Sequence, residues 1–434
     1  MSGGLHLISF LINSPINHTI LSWSDPADER LETLGDLKRW QQLARTYERG
    51  LFDGIFFADT PGVFDRYKDR SDEAVRYGVC WPSMDPVPLL SALAAGTDRL
   101  GLAVTLSISA NHPYQVVRSL STLDYLSGGR IGWNVVTGHL RGEYRALGLA
   151  QMDHDARYDR ADEYMEVCRA LWNGVRDGAV VADKRSGIFA DPAKVDVIQY
   201  EGKYFRCHTV PPVLPSRQGR PVLFQAGSSG RGQRFAVQHA DVVFAIQPHM
   251  SGMKTFMQQL QAAAREANAE TPKVTFGVQP IIGNTEGEAK RRLEELTARI
   301  PLEAALSRLS GSLGVDFSEM ELDLPLEEQK TQGSQGLMKA MSASFENKRF
   351  TLREAAVRWG LAVGIPQLVG TPDQVADQLE SIWRETGCHG FNVTPTITPS
   401  SVEEFVDEVV PILQRRGIFR TAYEGATFRE NLLH

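Results

Sequence analysis

The sequence has little of what marks disulfide-bonded, nucleic-acid-binding and membrane-spanning proteins. It contains four cysteines in 434 residues, with no CxxC pair, and its formal net charge is −7. No Lys- or Arg-rich block is present, which argues against nucleic acid and anionic membranes as partners. No apolar run approaches the roughly 18–20 residues of a membrane span. We therefore expect reduced thiols and a cytoplasmic protein.

Several catalytic motifs are also missing. Without HExxH, His-x-His or a cysteine pair, no metal site is predicted. A GxSxG elbow is absent too, although composition alone leaves a Ser-His-Asp triad open. The N-terminal segment lacks a basic region and a cleavage site, so no signal peptide is expected.

What the sequence does contain is an alternation of buried-strand and helical patterns. The predicted strands are 6–13, 54–59, 100–108, 130–137, 221–227, 240–246, 274–283 and 390–396. The predicted helices are 36–49, 113–127, 157–173, 230–239, 252–268, 285–299, 372–386 and 402–416. This order predicts an α/β fold, a (β/α)8 TIM barrel, as one domain over residues 1–434.

Two connections are longer than a plain βα unit, and we interpret both as insertions. Residues 176–218 hold Gly, Pro and short β-like pieces, and we expect them to pad the outside of the barrel. Residues 301–368 are polar and Gly/Ser-rich before they become helical. We expect the second insertion to form a lid over the barrel mouth.

Polar residues end several of the predicted strands, where barrel enzymes place their ligands. Asp59 closes the second strand, and a helix N-cap is an equal alternative for it. Thr105 and Ser107 alternate on the third strand with Ser109, and they line the pocket if their face points inward. Asn134 and Thr137 suit the edge of a polar heterocycle, unless backbone groups satisfy the amide.

A second group of residues suits a phosphate. The turn 227–230 joins a buried strand to a helix and carries Ser228 and Ser229. Free N–H groups at a helix start, two hydroxyls and the nearby Arg231 favour a phosphate cradle over a plain capped turn. His154 and Tyr158 share a helix face, which is a weak signal alone.

Six segments together resemble the bacterial luciferase-like flavin monooxygenases, in the branch of the nitrilotriacetate, dibenzothiophene sulfone, dimethyl sulfide and long-chain alkane monooxygenases. The segments are ARTYERGLFDGIFFAD, STLDYLSGGRIGWNVVTG, HDARYDRADEY, FADPAKV, PVLFQAGSSGRG and FVDEVVPILQRRGIFRTAYEG. They follow the family order along nearly the whole chain. The resemblance therefore carries both a fold and a function.

The resemblance implies a two-component monooxygenase. A separate NAD(P)H:flavin reductase would supply reduced FMN, and O2 would form a C4a-(hydro)peroxide that oxygenates a small organic substrate. Sulfur compounds and xenobiotics are among the expected substrates, and the family suggests a homodimer or homotetramer. The alternative is a flavin or deazaflavin oxidoreductase that transfers hydride without inserting oxygen, and a third reading is a flavin-binding barrel without activity.

The same resemblance assigns residues to roles. The implied flavin-binding residues are Asp59, Thr105, Asn134, Thr137, His154, Tyr158, Ser228 and Ser229. Two histidines that match the family, His18 and His139, are implied catalytic donors or bases, with structural hydrogen bonding as an equal alternative. Ser14, Phe64 and Cys80 stand where the alkane enzymes lead us to expect Cys, Tyr and Gln. These three positions predict a substrate pocket that differs from the alkane pattern.

Overall fold

The computed structural model describes residues 4–138, 140–328 and 350–434. Its centre is a closed barrel of eight parallel strands, and each strand pairs with the next along the chain. The last strand pairs with the first and completes the ring. The strands are β1 (His6–Ile12), β2 (Gly54–Ala58), β3 (Gly101–Ser107), β4 (Ile131–Val136), β5 (Val222–Gln225), β6 (Val242–Ala245), β7 (Lys273–Ile282) and β8 (Gly390–Val393). The predicted (β/α)8 barrel is confirmed.

Helices surround this barrel, and each of the eight predicted helical segments is helical. The described helices are α1 (Arg30–Leu34), α2 (Leu37–Arg49), α3 (Asp72–Tyr77), α4 (Pro86–Gly96), α5 (Pro113–Leu126), α6 (Arg141–Ala146), α7 (His154–Asn173), α8 (Gly230–His239), α9 (Met250–Glu266), α10 (Glu286–Ala298), α11 (Leu302–Leu313), α12 (Leu352–Ala362), α13 (Pro372–Thr386), α14 (Ser400–Glu404), α15 (Val410–Arg415) and α16 (Phe428–Leu433). A π-helical turn at Phe405–Val409 joins α14 to α15.

The elements that the sequence pattern did not predict include helix α4 and one short strand. Helix α4 fills the connection between β2 and β3, and its sequence PVPLLSALAAG is too uniformly apolar to show a helical period. The strand Gln367–Gly370 adds to the carboxyl end of β7, and four residues are too short for a pattern. Both elements are set by packing rather than by local periodicity.

The insertions take different forms. Within 176–218, strands Val180–Asp183 and Ile188–Ala190 pair antiparallel, and Ile198–Glu201 pairs with Arg206–Thr209. Within 301–368, helices α11 and α12 pack together, while residues 329–349 lie outside the described part of the chain. A single domain and a lid at 301–368 stay predictions.

The barrel interior is aromatic and its amino-terminal end is closed. Phe10, Phe56 and Phe244 pack against one another inside the ring. Phe428 of α16 closes the floor, where a Cβ on Gly101 would lie 2.2 Å from its ring. The open end for a ligand is therefore the carboxyl end of the strands.

Two further expectations concern the described residues. The four cysteines form no disulfide, as predicted, and all four are buried. No helix among residues 4–138, 140–328 and 350–434 is long and apolar enough to cross a membrane.

Candidate active site

The strand period places a polar pair on the inner wall of the barrel. Ala103 belongs to the inner cluster with Phe56, so Thr105, two residues later, also points inward. Asn134 is its neighbour on β4, and the Asn134 Nδ2 donates to Thr105 Oγ1 at 2.9 Å. Both residues are buried, yet Asn134 Oδ1 has no partner among the described atoms. This oxygen is free to accept a hydrogen bond from a heterocycle.

The ends of β3 and β4 are braced by two serines. Ser107 lies on the inward face and its Oγ accepts from the Ser109 backbone N–H at 3.2 Å. Ser109 Oγ in turn donates to the Thr137 carbonyl at 3.0 Å. Thr137 itself is half-buried at the mouth. Ser109 therefore braces the wall rather than lining it.

Asp59 lies at the carboxyl end of β2 and does not cap a helix. Helix α3 begins after Ser71 and α4 after Asp85, so the N-cap alternative does not apply. The Ser83 hydroxyl donates to Asp59 Oδ1 at 3.2 Å. Burial raises the pKa of Asp59 to about 6, and the negative charges of Asp85 and Glu143 raise it further. The hydrogen bond from Ser83 acts in the opposite direction and lowers it. Asp59 can thus hold or release a proton near neutral pH.

Glu143 and Arg157 are site residues that sequence reasoning did not select for this wall. Glu143 is buried in α6, and its Oε1 has no partner in the described structure. Burial raises the pKa of Glu143, whereas its interaction with Ser107 lowers it. Arg157 of α7 donates to the Gly138 carbonyl. The segment LRGEYRALG reads as a surface helix, so no local signal could have found Glu143.

The turn at 227–230 and the start of α7 come together as predicted. Ser229 caps α8: its Oγ accepts from the Gly232 N–H at 3.0 Å and lies 3.1 Å from His154 Nε2. The Tyr158 hydroxyl lies beside Ser229 and 2.7 Å from where a Cβ on Gly227 would stand. Ser228 is exposed on the same turn. A small anion can therefore meet hydroxyls, an imidazole and a helix start.

Arg231 has a different task from the expected one. Its guanidinium pairs with Asp159 and Asp162 of α7 and lies over the Tyr158 ring at 5.4 Å. These carboxylates neutralise its charge, so Arg231 ties α8 to α7 and does not serve as a free cation at the turn.

His18 is held on the opposite side of the mouth. Its ring stacks on Phe10 with centroids 4.1 Å apart, and Arg308 Nη2 lies 3.4 Å from His18 Nδ1. Because a guanidinium only donates, Nδ1 must accept, which assigns the imidazole proton to Nε2. Burial, Arg308 and Arg30 hold the pKa of His18 well below its usual range. His18 is therefore neutral, with an Nε2–H that lacks a partner within the described residues.

The three predicted substrate-pocket residues lie on this second wall. Ser14 is fully buried, and its Oγ has no partner among the atoms described. Burial raises the pKa of the Cys80 thiol, so Cys80 is uncharged. Phe64 packs on α11, where a Cβ on Gly311 would lie 2.1 Å from its ring. His139, the other predicted catalytic residue, lies outside the described residues.

The raised pKa of Asp59 predicts a pH-dependent stability. The unfolded carboxyl ionises near 3.8 and the folded one near 6, so raising the pH across this window favours unfolding. Relative to Asp59→Asn, the wild-type free energy of unfolding should fall by about 2 kcal/mol between pH 4 and pH 7. Ser83→Ala should enlarge that fall. Urea unfolding across the pH range measures both, and a pH-independent difference would contradict the assignment.

Known proteins share this architecture. The family model described as luciferase-like monooxygenase matches residues 18–390. Dibenzothiophene-sulfone monooxygenase of Rhodococcus erythropolis (strain XP) is 38% identical over 439 residues, covering 99% of this chain and 96% of that protein. The crystal structure of DmoA from Hyphomicrobium sulfonivorans has a TM-score of 0.92 at 34% identity, covering 99% of this chain and 92% of the other.

A third similar protein is a riboflavin lyase crystallised with modified FMN and riboflavin, with a TM-score of 0.91 at 32% identity, covering 99% of this chain and 96% of that chain. The relatives that confirm the predicted branch are named dibenzothiophene-sulfone, long-chain alkane, dimethyl-sulfide and nitrilotriacetate monooxygenases. The chain therefore belongs to the luciferase-like monooxygenase family.

Proposed function

We propose that this chain is the oxygenase of a two-component system that uses reduced FMN and O2 to insert one oxygen atom into a small organic substrate. The observation that carries the proposal is the buried Asn134 amide oxygen, which has no partner among the described atoms, on the wall that also bears the Gly227–Gly230 turn. A similar structure crystallised with modified FMN supports the choice of flavin.

The residues fit FMN in two places. Asn134 and Thr105 offer an acceptor and a hydroxyl to the edge of the isoalloxazine ring, with Asp59 and Thr137 at the neighbouring strand ends. His154, Tyr158, Ser228 and Ser229 surround a turn whose glycines leave room for a phosphate. Each group of residues matches one end of the cofactor.

Reduced flavin, when bound, supplies the two electrons that activate O2. The chain contributes position and proton control. The Thr105–Asn134 pair orients the ring, and Asp59 exchanges a proton near neutral pH. His18 presents a neutral Nε2–H donor toward the substrate side. The aromatic interior excludes water from below.

A separate NAD(P)H:flavin reductase is part of the proposal. The turn that fits phosphate is G-S-S-G and is not the GxGxxG pattern of nicotinamide-binding folds. We propose that reduced FMN comes from another enzyme, and the name of one relative, nitrilotriacetate monooxygenase component A, supports this. His139 is proposed as a second donor or base beside His18, and Ser14, Phe64 and Cys80 as the walls of the substrate pocket.

Loss of the phosphate contacts should distinguish FMN from riboflavin. Ser229→Ala and Tyr158→Phe each remove a hydroxyl near the phosphate, so each should weaken reduced-FMN binding about tenfold and leave riboflavin binding nearly unchanged. Anaerobic titration measures both ligands. Tyr125→Phe, at an exposed side chain, is the matched control. Equal losses for the two flavins would place the phosphate elsewhere.

Isotope labelling tests the reaction class. The chain is mixed with a flavin reductase, NADH, FMN and 18O2, and is offered a panel of small sulfur compounds, amines and alkanes. A monooxygenase should place one 18O atom in one of these products, as seen by mass spectrometry. A product oxidised without 18O would favour hydride transfer, and reduced-FMN binding with no product from any compound would favour a flavin-binding barrel without activity.

A further inference from the structure

Arg308 is a buried cation on the substrate side of the mouth. It lies in the middle of α11 with 2% of its surface exposed, within the run Ala304–Ser310, whose seven residues are all buried. Its guanidinium contacts the carbonyl and the Nδ1 of His18, and its Nε has no partner among the described residues. Burying a charged group in this way is costly unless something compensates it.

Nothing charged in the described structure compensates Arg308. No carboxylate oxygen of residues 4–138, 140–326 and 350–434 lies within 4.0 Å of it. The Cys80 thiol is the nearby titratable group, and its raised pKa keeps it uncharged. His18 is neutral as well. The charge of Arg308 is therefore open to an external anion.

Arg30, the other buried guanidinium near His18, provides the contrast. It donates to the carbonyls of Ile12 and Ser14 and to Asn17 Oδ1, and it lies over the Trp40 ring at 5.0 Å. The carboxylate of Asp28 also acts on it and favours its charged form. The burial of the Arg30 charge is thus explained by its contacts within the loop after β1. The contacts of Arg308 do not explain the burial of its charge in the same way.

Arg308 has unused N–H donors, and a cavity that it does not itself line begins one turn further along α11. A guanidinium carries five N–H groups, and the described contacts of Arg308 use two of them, both on His18. Its surroundings include the unpartnered His18 Nε2. One turn further along α11, Gly311 lines a cavity of about 220 Å³ with Phe64 and Leu140. An oxyanion that accepts several hydrogen bonds matches these donors.

We propose that Arg308 binds an anionic group of the substrate, so that the enzyme oxygenates small organic acids that carry a carboxylate or a sulfonate. This inference rests on the proposed function, because it assigns the second wall to the substrate. The anion would neutralise Arg308 and leave the rest of the molecule against His18 and Phe64. Neutral alkanes and sulfides would leave the guanidinium without a counter-charge.

The test compares probes that differ in charge. Benzoate, benzenesulfonate and the neutral benzamide are titrated calorimetrically at constant pH and ionic strength, with and without reduced FMN under anaerobic conditions. The wild-type chain should bind at least one of the two anions about tenfold or more tightly than benzamide. Arg308→Met should abolish that preference, and Arg308→Lys should retain part of it. Reduced-FMN affinity should stay unchanged in both variants.

Each result supports or overturns the assignment. Equal binding of anions and benzamide by the wild-type chain would overturn it without any variant, so a misfolded Arg308→Met leaves the test intact. Glu346 is the one acidic residue of segment 329–349. If Glu346→Gln strengthens anion binding about tenfold, the chain already supplies the counter-charge and the proposal is wrong. Failure to bind reduced FMN with the anion preference intact would reject the proposed function alone.

Discussion

The closed parallel barrel is the constraint on which the site depends. Because every strand pairs on both sides, side chains alternate strictly between the interior and the helical layer, and the carboxyl ends of all eight strands meet at one mouth. The interior below that mouth contains the rings of Phe10, Phe56 and Phe244, and polar side chains line the mouth itself. Ser14 Oγ, His18 Nε2, Asn134 Oδ1 and Glu143 Oε1 have no partners there among the described atoms. Leaving such a buried atom unpaired costs roughly 1–3 kcal/mol, so a ligand that pairs with several of them is bound strongly.

The strands could be predicted from the sequence because a buried parallel strand is a short apolar run between helical segments. All eight such runs are barrel strands, and the polar residues that end several of the runs lie at the mouth. The helix Pro86–Gly96 was not predicted because it is apolar on every side. The strand Gln367–Gly370 was not predicted because its pairing with β7 is a tertiary contact. Local pattern thus predicts apolar strands that stand between helical segments and helices that bury one face, and it fails where tertiary packing decides.

The candidate site divides in the same way. The Gly-Ser turn, the start of α7 and the strand-end residues are local signals, and the fold brings His154 to Ser229 as predicted. Arg308 meets His18 across 290 residues of chain, and nothing in the sequence around either residue indicates the contact. For Arg231 the sequence prediction was wrong. Its position beside the turn suggested a contact with phosphate, but two carboxylates of α7 neutralise its charge. Sequence motifs can therefore indicate which groups contact a cofactor. Which charges in a pocket are neutralised can be determined only from the folded structure.

The central claim is that one wall of the mouth holds the flavin and leaves the other wall to the substrate. A crystal structure of the chain grown with FMN tests this most directly. The account predicts electron density for the isoalloxazine ring within hydrogen-bonding distance of the Asn134 amide, and phosphate density at the Gly227–Gly230 turn. The side of His18 and Arg308 should stay clear of the cofactor. Flavin density stacked against Arg308 and Phe64, with the Gly227–Gly230 turn empty, would contradict the account.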